Sequence, residues 1–252
     1  MNGACGYEQR AASYAAEIAE VVAPRLLNGL LHTGMTVAEA PSGTGHFLSR
    51  YAAAQAEVVL IDASPAMLAA ARPAVPGQKL RMVCCRIEEL DPTQTGLADL
   101  VVVANAALNQ LAAGPGPAAV LAAAARILAP GGLLLAQVLL ADGDRVDGCG
   151  FYDPALPDGQ PILDRRICQD DGRELVRMRR QDRHDDRVGI HFTATCDGRT
   201  VYDHQVELQL LTAAAIEEAA TAADLSLIHR LDGDTEQLSE VLLATRTGQG
   251  AR

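Results

Sequence analysis

The chain has 252 residues, 49% of them hydrophobic and 21% charged, with a formal net charge of −11. A chain of that length buries about 70–75% of its unfolded surface without a disulfide or metal to hold it, and its composition excludes a disordered protein. The negative balance argues against a protein that tracks a nucleic-acid backbone, and with no run of 18 apolar residues no membrane span is expected.

Residues 8–31 space their apolar side chains by three and four, which predicts a helix restarted at Pro24. A short strand follows at 35–40, then the turn Pro41-Ser42-Gly43-Thr44-Gly45 and a helix at 46–55. Residues 57–62 read as a buried strand. Ser64 and Pro65 suit the N-cap and first position of the next helix. Further strands are predicted at 79–85, 98–105 and 131–140, with helices at 106–111 and 117–128 between the last two. Five near-continuous apolar strands alternating with helices imply a parallel sheet covered on both faces, doubly wound, with its ligand crevice beyond the carboxyl ends of the strands.

The pattern changes near residue 147. Segments 161–169, 173–181, 188–196 and 200–211 alternate with the two-residue period of antiparallel strands, and Asp171-Gly172 and Asp197-Gly198 are turn signals between them. A helix from the N-cap Thr212 and two closing strands at 225–232 and 240–246 complete the chain. The expected fold is therefore α/β: a mostly parallel, seven-stranded, doubly wound sheet with an antiparallel β insertion over its top. Residues 1–146 form the N-terminal helix and ligand-binding core, 147–211 the insertion as part of the same domain, and 212–252 the closing helix and hairpin. The acidic excess falls mainly in 147–252, with 12 basic against 20 acidic residues.

Two features carry chemistry. Gly43 and Gly45 stand between the first strand and its helix, where the backbone can approach a ligand closely. Leu48 occupies the third glycine position of a dinucleotide fingerprint, which argues against a pyrophosphate and hence a nicotinamide dehydrogenase. Glu39, at the strand end, suits a cationic or amine group, and Asp62, ending the second strand, suits a pair of ribose hydroxyls.

On these residues the sequence resembles the class I S-adenosylmethionine-dependent methyltransferases of small-molecule type. Val37-Ala-Glu-Ala-Pro-Ser-Gly-Thr-Gly-His-Phe47 is similar to their first motif, and Val58-Val-Leu-Ile-Asp-Ala-Ser-Pro-Ala-Met-Leu68 to the second. Residues 98–111 and 128–138 resemble the fourth-strand motif and the fifth strand with its Pro-Gly-Gly turn. The resemblance implies S-adenosyl-L-methionine as cofactor and S-adenosyl-L-homocysteine as product. It implies that Glu39, Ala40, Gly43 and Gly45 hold the methionine moiety, Asp62 the ribose, and Ala63, Met67 and Ile87 the adenine. Asn105 and Leu108 would then lie beneath the sulfonium, with Tyr14 as an aromatic lid whose ring attracts a cation. Arg86 stands where many members place an acid, with Glu88 and Glu89 just after it. Gln110 stands where relatives acting on amines or sugars carry a histidine, and glutamine is no general base.

Methyl transfer is an in-line displacement from an already activated cofactor, so alignment and exclusion of water are the protein's main tasks. The catalytic candidates are Asn109, Gln110 and, from the insertion, His191, with His46, His184 and His204 as the other histidines weighed. Arg165, Arg166, Arg177, Arg179, Arg180 and Arg183 alternate with acids as solvated strand faces do; the sharper alternative is a clamp for a substrate carboxylate. Cys5, Cys84, Cys85, Cys149, Cys168 and Cys196 form no CxxC pair. Asp142 and Asp144 read as loop carboxylates, so no metal is expected. The expected function is methyl transfer to a small molecule of secondary metabolism, such as antibiotic biosynthesis, with nitrogen slightly favoured over oxygen. The alternatives are a cyclisation or rearrangement that uses the cofactor as a passive cation, and a non-catalytic binding module. Nucleic acid and membrane are not expected partners, the protein is expected as a cytoplasmic monomer or homodimer, and a small acceptor is the expected ligand.

Overall fold

The computed structural model describes Arg10, Ala11, Tyr14 and residues 21–168 and 172–246. Cys5, Asp171 and most of the expected first helix lie outside the described residues. Arg10, Ala11 and Tyr14 are helical, residues 21–24 are not, and the helix resumes as α1 (Leu27–Leu30) just past Pro24.

Strands β1 (Thr36–Glu39), β2 (Glu57–Asp62), β3 (Leu80–Cys84), β4 (Ala98–Val103) and β5 (Leu128–Val138) run parallel. Helices α2 (Leu48–Ala53), α3 (Pro65–Ala70), α4 (Pro92–Thr95), α5 (Ala107–Ala112) and α6 (Pro117–Ala125) connect them. Local sequence explains the starts: Ser64 Oγ accepts from Met67 N at 3.2 Å with Pro65 behind it, and Asp91 Oδ1 accepts from Thr93 N at 2.8 Å. Each satisfies one of the orphan amides at a helix start.

After the insertion come α7 (Ala213–Ala222), capped by Thr212 Oγ1, and the antiparallel pair formed by β12 (Leu225–Leu231) and β13 (Ser239–Thr245). The seven strands lie in the order β12-β13-β5-β4-β1-β2-β3. Strand β1 pairs with both β2 and β4, so the chain reverses its direction of growth there. A crevice necessarily opens at such a point, because the loops leaving the two neighbouring strands cross to opposite faces. Apolar clusters pack on both faces of the sheet, one under α5–α7 and one under α1–α3.

The segment after β5 makes a small hairpin, β6 (Ala141–Asp142) with β7 (Arg145–Val146), where the sequence suggested only a loop. Asp142 Oδ1 accepts from Ala213 N at 3.0 Å, so this carboxylate supports the start of α7. No metal-binding cluster occurs among the described residues.

The insertion is a four-stranded antiparallel sheet: β8 (Ile162–Cys168), β9 (Glu174–His184), β10 (Arg187–Cys196) and β11 (Arg199–Gln209), in the order β11-β10-β9-β8. Asp197 and Gly198 both adopt positive φ, 50° and 73°, as a two-residue hairpin turn requires. The β9–β10 turn, with Asp185 at φ 54°, carries no glycine and escaped the sequence signals. The inner face of this sheet, including Val188, Ile190 and Phe192, packs with Ala106, Leu139 and Leu238 of the parallel unit in one apolar cluster. Burying each such large side chain contributes about 1.5–3 kcal/mol, which holds the insertion down. No helix among the described residues is long and apolar enough to cross a membrane.

Candidate cofactor and acceptor site

The turn after β1 folds back on the end of β2. Ser42 N donates to Ile61 O at 2.8 Å, and Gly45 N to Ser42 O at 2.9 Å. The Asp62 carboxylate then ties two turns together, Oδ2 accepting from Gly43 N and Oδ1 from Ser64 N, each at 2.8 Å. Both glycines have positive φ, 53° at Gly43 and 78° at Gly45, but for different surroundings. A Cβ on Gly43 would lie 3.0 Å from Tyr14 Cε1 and 3.3 Å from His46 Nε2. One on Gly45 would lie 2.7 Å from Leu48 Cδ1. Gly43 therefore faces the crevice, whereas Gly45 faces α2 and lies outside the cavity lining, which corrects its expected ligand contact.

A cavity of about 480 Å³ opens beyond the carboxyl ends of β1, β2 and β4. It brings together Glu39, Ala40, Gly43 and Asp62 from the first two strand ends. Ala63, Met67 and Ile87 form one side of it, and Asn105 and Gln110 another, with Tyr14 over the Gly43 turn. Arg86 also lines it, its Nη2 3.2 Å from Glu88 Oε1.

Glu39 is the electrostatic focus. Its side chain is 1% exposed, and Oε2 has no hydrogen-bond partner. Burial pushes its carboxyl up to about 8; the neighbouring Tyr51 hydroxyl offsets part of this, and the Asp62 charge adds to it. A buried carboxylate regains its ionised form when a cation sits beside it. His46 moves the other way: burial lowers its imidazole to about 4, so it is neutral at neutral pH, tilted against Tyr14 with ring centres 5.7 Å apart.

Three expected positions are corrected. His191 lies on the outer face of the insertion, its Nε2 2.6 Å from Asp203 Oδ1 and outside the cavity lining. Strand alternation decides this, since Phe192 beside it points inward. Asn109 is wholly buried and structural: Nδ2 donates to Leu139 O and Gln209 O, each at 2.8 Å, and Oδ1 accepts from Leu139 N at 2.9 Å. It ties α5 to the strand ends instead of facing a ligand. Leu108 sits in the apolar core at 0% exposure, and Leu111, one turn along the same helix, lines the cavity instead. His204 is buried on the insertion's inner face but is not part of the lining, and His184 is exposed at the end of β9.

The structure also supplies residues that pattern reading missed. Gln137 and Glu240, paired in register on β5 and β13, both line the cavity. Gln137 Oε1 accepts from Asn105 N at 3.0 Å, and its Nε2 donates to Val22 O at 3.1 Å. Glu240 accepts from Arg25 N and Leu26 N at 2.7 and 2.9 Å and pairs with Arg25 Nε at 3.1 Å. These two side chains fasten residues 22–26 to the end of the sheet. The signal for them is a polar side chain inside an apolar strand, which must find partners when buried.

Of the insertion arginines, Arg166 and Arg180 are solvated and paired with Glu174 and Asp182, as the alternating pattern suggested. Arg183 pairs with Asp158 at 2.8 Å and donates to Pro154 O and Leu156 O, pinning the loop before β8. Arg177 and Arg179 depart from that reading: both are buried and share Asp164, at 2.5 and 3.5 Å. Arg165 and Arg177 line the cavity together with Phe192, Val206 and Leu208.

Comparison with known proteins agrees with this geometry. A family model described as a methyltransferase domain matches residues 39–136, the stretch from the end of β1 to β5. No curated protein matches the chain in sequence. Among solved structures, an S-adenosylmethionine-dependent methyltransferase from Clostridium acetobutylicum superposes with a TM-score of 0.65 at 15% identity, covering 95% of this chain and 92% of that one. A sugar N-methyltransferase from Streptoalloteichus gives 0.64 at 19%, covering 94% and 88%. An amino pentose methyltransferase from Micromonospora echinaspora, involved in calicheamicin biosynthesis, gives 0.59 at 20%, covering 94% and 91%. At these identities the likeness is one of fold, insertion included.

Proposed function

We propose that this chain is a class I S-adenosylmethionine-dependent methyltransferase that methylates a nitrogen of a small molecule held between the parallel sheet and the insertion. The cofactor, when bound, supplies a methyl group on a positively charged sulfur. The observation that carries the reading is the pairing of two carboxylates, Glu39 and Asp62, at the ends of adjacent strands on either side of the Gly43 turn.

The residues fit that cofactor. Glu39 Oε2, buried without a hydrogen-bond partner, suits the ammonium of the methionine moiety. Asp62, already fixed by two backbone amides, suits the ribose hydroxyls. Ala63, Met67 and Ile87 offer adenine apolar surface, and the Tyr14 ring suits the neighbourhood of a cation. The segment 22–26, clasped by Gln137 and Glu240, helps to exclude water.

Nitrogen is favoured as the acceptor atom by the scarcity of histidine in the lining, since the carboxylates at the strand ends are assigned to the cofactor. Among the described residues, His46 is the one histidine that lines the cavity, and its lowered basicity makes it a poor proton acceptor. Gln110, which stands where relatives acting on amines or sugars carry a histidine, lines the cavity and does not titrate. A neutral amine needs no base before it attacks, whereas an alkyl hydroxyl does. A sugar N-methyltransferase among the structural neighbours is consistent with this choice. In this reading residues 147–211 form one domain with 1–146 and 212–252, because their inner face has no core apart from the shared cluster.

The test is incubation with S-adenosyl-L-methionine and matched acceptors that carry either an amine or a hydroxyl on the same scaffold. Release of S-adenosyl-L-homocysteine with the amines alone is the expected result. Turnover confined to hydroxyl acceptors, or cofactor binding with no turnover on either series, overturns it.

A further inference from the structure

The acceptor end of the cavity has a charge of its own. Every charged side chain that the insertion contributes to the lining is an arginine, Arg165 and Arg177, and Arg10 of the N-terminal helix joins them. Arg177 and Arg10 are buried, 3% and 4% exposed, and both lie over the Phe192 ring, with guanidinium carbons 5.1 and 5.3 Å from its centre. Arg165 and Arg177 are directly opposed across β8 and β9, with Asp164 offsetting the charge of Arg177.

The local backbone brings this about. The β8–β9 register shifts between Leu163 and Arg165. In an uninterrupted strand Asp164 and Arg165 would point to opposite faces; the irregularity lets Asp164 pair with Arg177 and Arg179 while Arg165 reaches the cavity, near Gly150. Irregularities of this kind re-aim side chains beside functional sites. Guanidinium groups that line one cavity beside an aromatic ring are suited to a planar oxyanion.

We infer that the acceptor is an anion: Arg165, Arg177 and Arg10 hold a carboxylate or phosphate of the substrate at the insertion wall, and the methylated nitrogen lies at the opposite end, toward Asn105 and Gln110. This rests on the methyl-transfer reading above and narrows its substrate class.

Calorimetric titration of the protein saturated with S-adenosyl-L-homocysteine tests it, with benzoate, benzamide and inorganic pyrophosphate as probes. Benzoate or pyrophosphate is expected to bind saturably and the neutral benzamide at least tenfold more weakly. Benzoate binding alone assigns a carboxylate, and preferential pyrophosphate binding a phosphate. Arg165→Gln is expected to weaken the preferred anion at least tenfold with S-adenosyl-L-homocysteine affinity unchanged, and Arg177→Gln to do the same if it folds. Equal binding of benzoate and benzamide with no pyrophosphate binding, or an Arg165→Gln protein that holds the anion as well as the parent, overturns the inference. Failure to bind S-adenosyl-L-homocysteine overturns the methyl-transfer reading instead.

Discussion

On the parallel-sheet side of the cavity, the ligand-facing groups sit where strands stop. Glu39 closes β1, Asp62 closes β2, and Gly43 and Asn105 lie in the turns that follow. On the insertion side they sit inside strands: Arg177 is mid-β9, Phe192 mid-β10, and Val206 and Leu208 lie along β11. A strand end offers backbone amides and a fixed direction but little surface, which suits an invariable ligand gripped by a few polar atoms. A strand face offers a row of side chains exchangeable one by one without touching the backbone, which suits a wall shaped to a particular acceptor. The two sides also differ in charge: the sheet side carries both carboxylates and arginines, whereas the charged groups that the insertion contributes are arginines alone.

Substitutions that act on one side alone can break or sharpen this contrast. The largest effect is expected from Gly43→Val, since a β-branched residue at φ 53° is strained and its Cβ would press on Tyr14 and His46. Loss of S-adenosyl-L-homocysteine binding by more than a hundredfold, with the unfolding transition still cooperative, is the expected calorimetric result.

Asp62→Ala comes next. Removing a carboxylate that holds Gly43 N and Ser64 N should weaken the cofactor by roughly 1.5–3 kcal/mol, the scale of a lost charge-assisted hydrogen bond. Unchanged affinity would detach Asp62 from the cofactor.

Glu39 makes the binding pH-dependent. With its carboxyl raised to about 8, it is protonated at pH 6–7 in the free protein; a bound ammonium favours the ionised form, so a proton leaves on binding. Cofactor affinity should therefore rise as pH increases toward 8, by at most about tenfold per pH unit, and level off above it. Titrations at pH 6, 7 and 8 should show this slope in the parent and a flat response in Glu39→Gln.

The smallest effect belongs to His191→Ala. Its partner Asp203 is exposed, and such pairs are worth about 0.2–1 kcal/mol. Turnover should match the parent; a loss of tenfold or more would return His191 to the reaction.

Sequence pattern carried most of the parallel side, because period, caps and glycines are local. Ser64 and Thr212 cap the helices expected of them, and Glu39 and Asp62 end the strands on which they were placed. The insertion was legible as four strands lying over the site, but which of its side chains face the cavity was not. An alternation of charged and apolar residues reads as a solvated face, and nothing in Arg177 itself says that it is buried. Periodicity separates the two faces of β9 without saying which is covered; the docking of the insertion on Leu139 and Leu238 chooses. Asn109 and Leu108 failed for a related reason: adjacent residues on a helix point about 100° apart, so membership of a motif does not say which of them meets the ligand.

By itself the amino-acid order determined the sheet, its crevice and the two carboxylates flanking a glycine turn, because hydrophobic period and strand ends are properties of neighbouring residues. Tertiary structure alone decided that Gln137 and Glu240 clasp residues 22–26, that His191 faces outward and that Arg165, Arg177 and Arg10 line one cavity. Those arrangements join segments tens to hundreds of residues apart, and only the packing of one layer on another brings them within reach.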